Sequence, residues 1–224
     1  MLLNERNIAA MMDLSCVRTH NSKADIEELV RCARKYEIGQ VTVLQSFIPY
    51  TKELLKDNPK IRLSGNVSFP SGSDSTSLKV IQTRELVEDG CDEIDMVMNV
   101  GKFLSGEYDE VEADVRAVVE AASPLPVKVI LEMYYLNPKE VEKACEISIR
   151  AGAAFIKTGT GWVGSGATVD DIKLIKSITG DRIQIKASGG IRDLETLVEM
   201  YRQGARRFGV NLKSGIKIIE EVMI

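Results

Sequence analysis

Eight short apolar runs recur along the chain, each separated from the next by a longer amphipathic stretch, with no linker or low-complexity segment between them. The short runs are MMDLSC (11–16), QVTVLQ (40–45), IRLSGNVSF (61–69), DEIDMVMN (92–99), VKVILEM (127–133), AAFIKTG (153–159), IQIKAS (183–188) and RRFGVN (206–211). They read as near-continuous apolar strands, the pattern expected when helices cover a sheet. Between them, KADIEELVRCARKYEIG opens after the potential cap Ser22 and closes near Gly39. SLKVIQTRELVEDG, EYDEVEADVRAVVEAA, NPKEVEKACEISIRAG, TVDDIKLIKSITG, RDLETLVEMYRQG and SGIKIIEEVM repeat the design, with caps and glycine stops in plausible places.

Strict alternation implies a parallel sheet, and a count of eight strand–helix units implies a closed (β/α)8 TIM barrel, one domain spanning residues 1–224. A doubly wound open sheet is the competing arrangement. Its dinucleotide fingerprint is missing, since DLSCVRTHN after the first strand holds no glycine.

Composition narrows the partners. Apolar residues make up 44% and charged residues 28%, as in a soluble globular protein. A net charge of -4 speaks against general nucleic-acid affinity and leaves room for a local basic pocket that holds a small anion. The four cysteines (Cys16, Cys32, Cys91, Cys145) form no CxxC pair, which predicts reduced thiols and gives no zinc signature. The first six residues carry charges and no signal-peptide pattern follows, and no apolar run approaches the ~20 residues of a membrane span. A cytoplasmic protein with a small-molecule partner is expected, without nucleic acid or membrane.

In a barrel of this kind, chemistry gathers at the C-terminal strand ends. Asp13 interrupts the first strand, and Asp95 and Asn99 stand on the fourth. Lys128 and Glu132 share a face of the fifth, Lys157 ends the sixth and Lys186 ends the seventh. Each has an ordinary reading. Asp13 reads equally as a structural cap or pair, Lys128 and Glu132 as a buried ion pair, and either lysine as a solvated strand end. Together, two lysines and an aspartate crowd charge into one concave space. A second ammonium and desolvation both lower a lysine pKa, and a neutral lysine is a nucleophile that forms imines. The loops GTGWVGSG and SGGIRD offer backbone N–H groups to an anion, with Arg192 as reinforcement or as a surface pair. The single histidine, His20, lies in the first loop without an evident partner, so neither a Ser-His-Asp triad nor a multi-histidine metal site is expected.

The runs YTKELL (50–55), FPSG (69–72), DEIDMVMNVG (92–101), KVILE (128–132), FIKTGTG (155–161), SGAT (165–168) and KASGGIR (186–192) resemble the deoxyribose-phosphate aldolase family. These are class I aldolases of (β/α)8 fold that use no metal, and the resemblance runs from about residue 12 to about residue 193. It implies Lys157 as the Schiff-base lysine, Lys186 as the second lysine that depresses its pKa, and Asp95 as the acid–base residue working with an ordered water. Asp13 and Lys128 match polar positions around that site. Gly161, Gly189, Gly190, Ile191 and Arg192 match the phosphate-holding region, and Thr158, Gly209 and Asn211 are counted with the substrate-binding positions. The implied reaction is the reversible cleavage of 2-deoxyribose 5-phosphate to acetaldehyde and glyceraldehyde 3-phosphate, with no cofactor beyond the imine. The family is often dimeric, so a homodimer or higher homo-oligomer is expected.

Departures from the family pattern fall in two loops. Thr42, Leu44 and Gln45 stand where a cysteine and Asn-Pro are common, and Ser68 where glycine is usual. After strand eight, GVNLKSG puts Val210, Asn211 and Leu212 in place of small hydroxyl residues, in what reads as a longer loop, with Lys213 as a new phosphate contact or plain surface. These changes motivate a second reading, imine chemistry on another aldehyde or ketone pair. A third is a non-catalytic ligand-binding barrel.

Overall fold

A computed structural model describes residues 4–223. The elements run α1 (Glu5–Met11), β1 (Met12–Cys16), α2 (Lys23–Lys35), β2 (Gln40–Val43), α3 (Ile48–Leu55), β3 (Arg62–Val67), α4 (Thr76–Glu88), β4 (Glu93–Val97), α5 (Val100–Leu104) and α6 (Tyr108–Ala122). They continue with β5 (Val127–Ile130), α7 (Pro138–Arg150), β6 (Phe155–Lys157), α8 (Val169–Thr179), β7 (Gln184–Ser188), α9 (Leu194–Arg202), β8 (Ala205–Asn211) and α10 (Leu212–Val222). The strands close in chain order, β8 pairing with β1, and every pairing is parallel. The (β/α)8 barrel expected from the alternation is the fold.

Capping residues start the helices where the sequence places them. Ser22, Asn137 and Thr168 each close a capping box with the acidic residue at the third helical position. Three helices lie outside the periodicity reading: α1, capped by Asn4; α5, capped by Asn99; and α3, which fills the β2–β3 connection after Pro49 near its start. All three are short, from 5 to 8 residues, too short for a 3.6-residue repeat to stand out. No loop separates β8 from α10, which corrects the longer loop read there: Asn211 is both the strand's last residue and the helix cap.

The strands are also less uniformly apolar than they read. One face, with Leu14, Val41, Leu63, Ile94, Met96, Val129, Ile156, Ile185 and Phe208, joins Ile26, Leu29, Val115, Ile172 and Ile218 of the helices in a single buried core. The other face is polar at period two: Asp13 with Ser15, Gln40 with Thr42, Ser64 with Asn66, Glu93 with Asp95, Lys186 with Ser188. Most of these polar groups are buried, so their partners come from one another or from strand carbonyls.

Candidate active site

Asp95, in the middle of β4, is wholly buried and is the hub of the interior. Its Oδ1 accepts from Lys128 Nζ at 2.7 Å and Ser64 Oγ at 3.1 Å. Its Oδ2 accepts from Lys157 Nζ at 2.6 Å and Lys186 Nζ at 2.8 Å. Strand register makes this possible, because Asp95 stands beside Lys128 and Lys157 stands beside Lys186. Lys186 also donates to Asp13, whose second oxygen accepts from Thr42 Oγ1 at 2.7 Å.

The two mouth lysines differ in charge behaviour. Burial pushes Lys157 down to about 8; the Asp95 carboxylate opposes this, and the Lys186 ammonium adds to it. Desolvation is therefore the larger cause, and the second lysine the smaller one. Lys186 is equally buried, yet the carboxylates of Asp13 and Asp95 outweigh its desolvation and hold it above the ordinary lysine value. Burial would raise the Asp95 carboxyl, but the charges of Lys128, Lys157 and Lys186 hold it well below the carboxylate range. The site thus presents one amine that is partly neutral near pH 8, one fixed ammonium and one fixed carboxylate.

Above these groups Asp13, Ser15, Thr42, Asn66, Phe69, Lys157, Thr160, Lys186, Ser188 and Gly209 line a narrow pit. The pit shares its rim with a cleft of about 230 Å³ between the β1, β6, β7 and β8 ends. Gly161, Gly189, Gly190, Arg192, Gly209 and Asn211 all line that cleft. Among the described residues its charged lining side chains are Arg18 and Arg192, so it favours an anion. Glycine is required where the two loops meet: a Cβ on Gly166 would lie 2.4 Å from the Cα of Gly190, which itself sits at φ 76°. Gly209 leaves room for the Lys186 and Ser188 side chains that pass over it.

Several expected positions fall elsewhere. Lys186 is mid-strand in β7 rather than at its end, and so lies deeper than a rim residue. Lys128 lies beneath Asp95, fully buried, and its second partner is Glu93 at 2.6 Å. The ion pair read between Lys128 and Glu132 does not form, because β5 ends at Ile130 and Glu132 turns away at φ 54°. Glu132 instead accepts from Thr160 N at 3.1 Å and from Thr160 Oγ1, bonds that offset a backbone conformation costing roughly 1 kcal/mol. Asn99 lies beyond β4 and caps α5. Thr158 straps β6 to β7, donating to the Ser188 carbonyl at 3.1 Å, and faces a neighbouring cavity with Tyr134.

Sequence reading missed Arg18. It donates to the Gly161 carbonyl at 2.6 Å and lies 5.2 Å from the Trp162 ring, whose Nε1 donates to the Val17 carbonyl at 3.0 Å. With Phe69 edge-on at 6.0 Å, Trp162 forms a roof joining the β1 and β6 loops. Its signal was weak: a lone arginine in a polar loop. Glu93 and Arg207 were missed too, although Glu93 shares the period-two face of Asp95.

A sequence model of the DeoC/LacD family aldolases matches residues 7–216. The deoxyribose-phosphate aldolase of Klebsiella pneumoniae is 42% identical over 216 residues, 96% of this chain and 87% of its own. Among solved structures, an aldolase called QR15 superposes with a TM-score of 0.91 at 39% identity, covering 97% of this chain and 96% of its own. A tetrameric deoxyribose phosphate aldolase from Aeropyrum pernix does so with a TM-score of 0.88 at 26% identity, covering 96% and 91%. With a match of this breadth and a barrel of this geometry, the chain is an aldolase and belongs to the DeoC/LacD aldolase family.

Proposed function

We propose that the chain is a class I aldolase that cleaves 2-deoxyribose 5-phosphate reversibly through an imine on Lys157. The observation that carries this is one buried amine at about 8, on the same carboxylate oxygen as a second lysine, in a pit that adjoins a cleft lined by Arg18 and Arg192. Neutral Lys157 adds to the C1 aldehyde, one proton is taken up from solvent and water leaves, giving a protonated imine. That cation draws in the electrons of the C2–C3 bond as the C3 hydroxyl gives up its proton, releasing glyceraldehyde 3-phosphate and an enamine. Protonation at C2 and hydrolysis free acetaldehyde and return Lys157. Asp95 and an ordered water move these protons, and Lys186 holds its charge to keep Lys157 neutral. Asp13 and Lys128 fix the polar floor, Thr158 keeps the β6 and β7 ends in register, and Gly161, Gly189, Gly190, Arg192, Gly209 and Asn211 hold the phosphate end. The electron sink is the imine itself, so the reading assigns no cofactor.

The second reading keeps Lys157 chemistry on another phosphorylated or aldehyde substrate. It is favoured by the β8 end, where Val210 is buried and the Asn211 side chain is engaged by Ser214 N at 2.9 Å. A cytoplasmic homodimer or larger assembly of like chains completes the proposal; the tetrameric relative supports it, and light scattering tests it. The test of function is intact mass after borohydride reduction with deoxyribose 5-phosphate or acetaldehyde, followed by peptide mapping and turnover. An adduct on Lys157 from both, with turnover, is expected. Acetaldehyde alone reacting would select the second reading, and no adduct from either would overturn imine catalysis.

A further inference from the structure

The sealed end of the barrel carries charges that the reacting atoms never touch. Arg207 donates to Glu93 Oε2 at 3.1 Å and to Gln40 Oε1. Glu93 holds Lys128 at 2.6 Å, and Lys128 reaches Asp95 at 2.7 Å. From Asp95 the bonds run through Lys186 at 2.8 Å to Asp13, then from Gln40 Nε2 to Asp13 Oδ2 at 3.2 Å, and so back to Arg207. Seven side chains from six strands close a ring across the barrel. It holds Arg207, Lys128 and Lys186 against Glu93, Asp95 and Asp13, so it is neutral with every member ionised. Lys157 hangs from it by one bond, to Asp95 Oδ2.

We propose that Glu93, clamped by Arg207, is a positioning residue for the aldolase reaction: by sharing Lys128 with Asp95, it leaves Lys157 as the one amine without a carboxylate of its own. The proposal rests on the imine reading of Lys157. A carboxylate that gives one oxygen to Lys128 and the other to two lysines divides its attraction three ways. Were Glu93 uncharged, Lys128 would draw harder on Asp95, the ring would carry a net positive charge, and Lys157 would shed its proton at lower pH. Were Arg207 uncharged, Glu93 would take more of Lys128, Asp95 would be freed for Lys157, and the proton would stay to higher pH. The remaining groups do not blur this. Asp13, Asp95, Lys128 and Lys186 face Lys157 from β1, β4, β5 and β7, while β2, β3 and β8 offer Thr42, Asn66 and Gly209. Glu132 at the mouth is engaged by Thr160, and Arg62 adds a half-exposed contact to Glu93 at 3.2 Å.

The experiment is the pH midpoint for trapping acetaldehyde on Lys157 with cyanoborohydride in the full chain. The amine adds to the carbonyl, water leaves, and hydride from the reagent fixes the C=N bond as a secondary amine. Glu93→Gln is expected to move the midpoint down and Arg207→Met to move it up, each by about one pH unit, hence about tenfold in rate on the acid side. Arg207→Lys, which keeps the charge, is expected to restore the parent midpoint. A purely structural role would leave the midpoint fixed or move it the same way in both variants, and either result overturns the proposal. Should the buried substitutions not fold, Arg62→Met, at the half-exposed start of β3, carries the test, with a smaller upward shift expected and no shift overturning it. Failure of the parent to form an adduct would instead break the imine reading.

Discussion

Two buried lysines show how differently this fold can partner an ammonium group. Lys79, on α4, meets Asp114 of α6 at 2.6 Å and the Val97 carbonyl at 3.2 Å, while Thr76 donates to the other carboxylate oxygen at 2.8 Å. That is one cation for one anion, closed in by packed helices and strand. Lys157 shares the one carboxylate it bonds among the described residues with two other ammonium groups, and it lines the narrow pit at the barrel mouth. Burial is common to both. What differs is an unmatched charge and a path for a carbonyl to reach it, and those make an amine a nucleophile at neutral pH.

The comparison breaks first at Lys157. Lys157→Met is expected to abolish borohydride adducts and reduce turnover by more than about a thousandfold, with folding retained by circular dichroism. The helix-shell pair should respond in the opposite currency. Asp114→Asn or Lys79→Met is expected to lower stability by roughly 3–5 kcal/mol in denaturant titration, by stranding a buried charge. The pH midpoint of Lys157 trapping in whatever fraction remains folded should not move. A moved midpoint would mean that the two lysine sites are coupled.

A third measurement sharpens the contrast. The reactive species is the neutral amine, and Lys157 titrates at about 8, so trapping should rise with pH and level off above it. The expected gain between pH 7 and pH 9 is about tenfold; a flat profile would remove the unmatched charge as the source of reactivity. The smallest expected effect is at the cleft. Arg18→Met should raise KM for a phosphorylated sugar about fivefold while leaving the unphosphorylated sugar unchanged, since one exposed charge-assisted contact is worth on the order of 1 kcal/mol.

Much of this was legible in the chain. Alternating strand and helix patterns led to the barrel, and FIKTGTG with KASGGIR led to the mouth lysines and the glycine-lined cleft. Lys157, Asp13, Gly161, Gly189, Gly190, Arg192, Gly209 and Asn211 all line the pit or cleft. Glu132 was misread because a period-two face assumes that the strand continues, and a left-handed residue ends it. Arg18, Glu93 and Arg207 were overlooked because their partners lie on other strands or loops, far away in sequence.

By itself, the sequence determined the eight strands, the longer helices and their order, because apolar periodicity and caps are local, and strict alternation of eight units favours a closed parallel barrel. It also determined which residue types reach the mouth. Only the tertiary structure decided how the carboxylates are divided between the two lysines. Lys157 and Lys186 are neighbours in register, and both are buried. One shares a single carboxylate while the other holds two, and that allotment exists only once β1, β4, β6 and β7 stand around one axis.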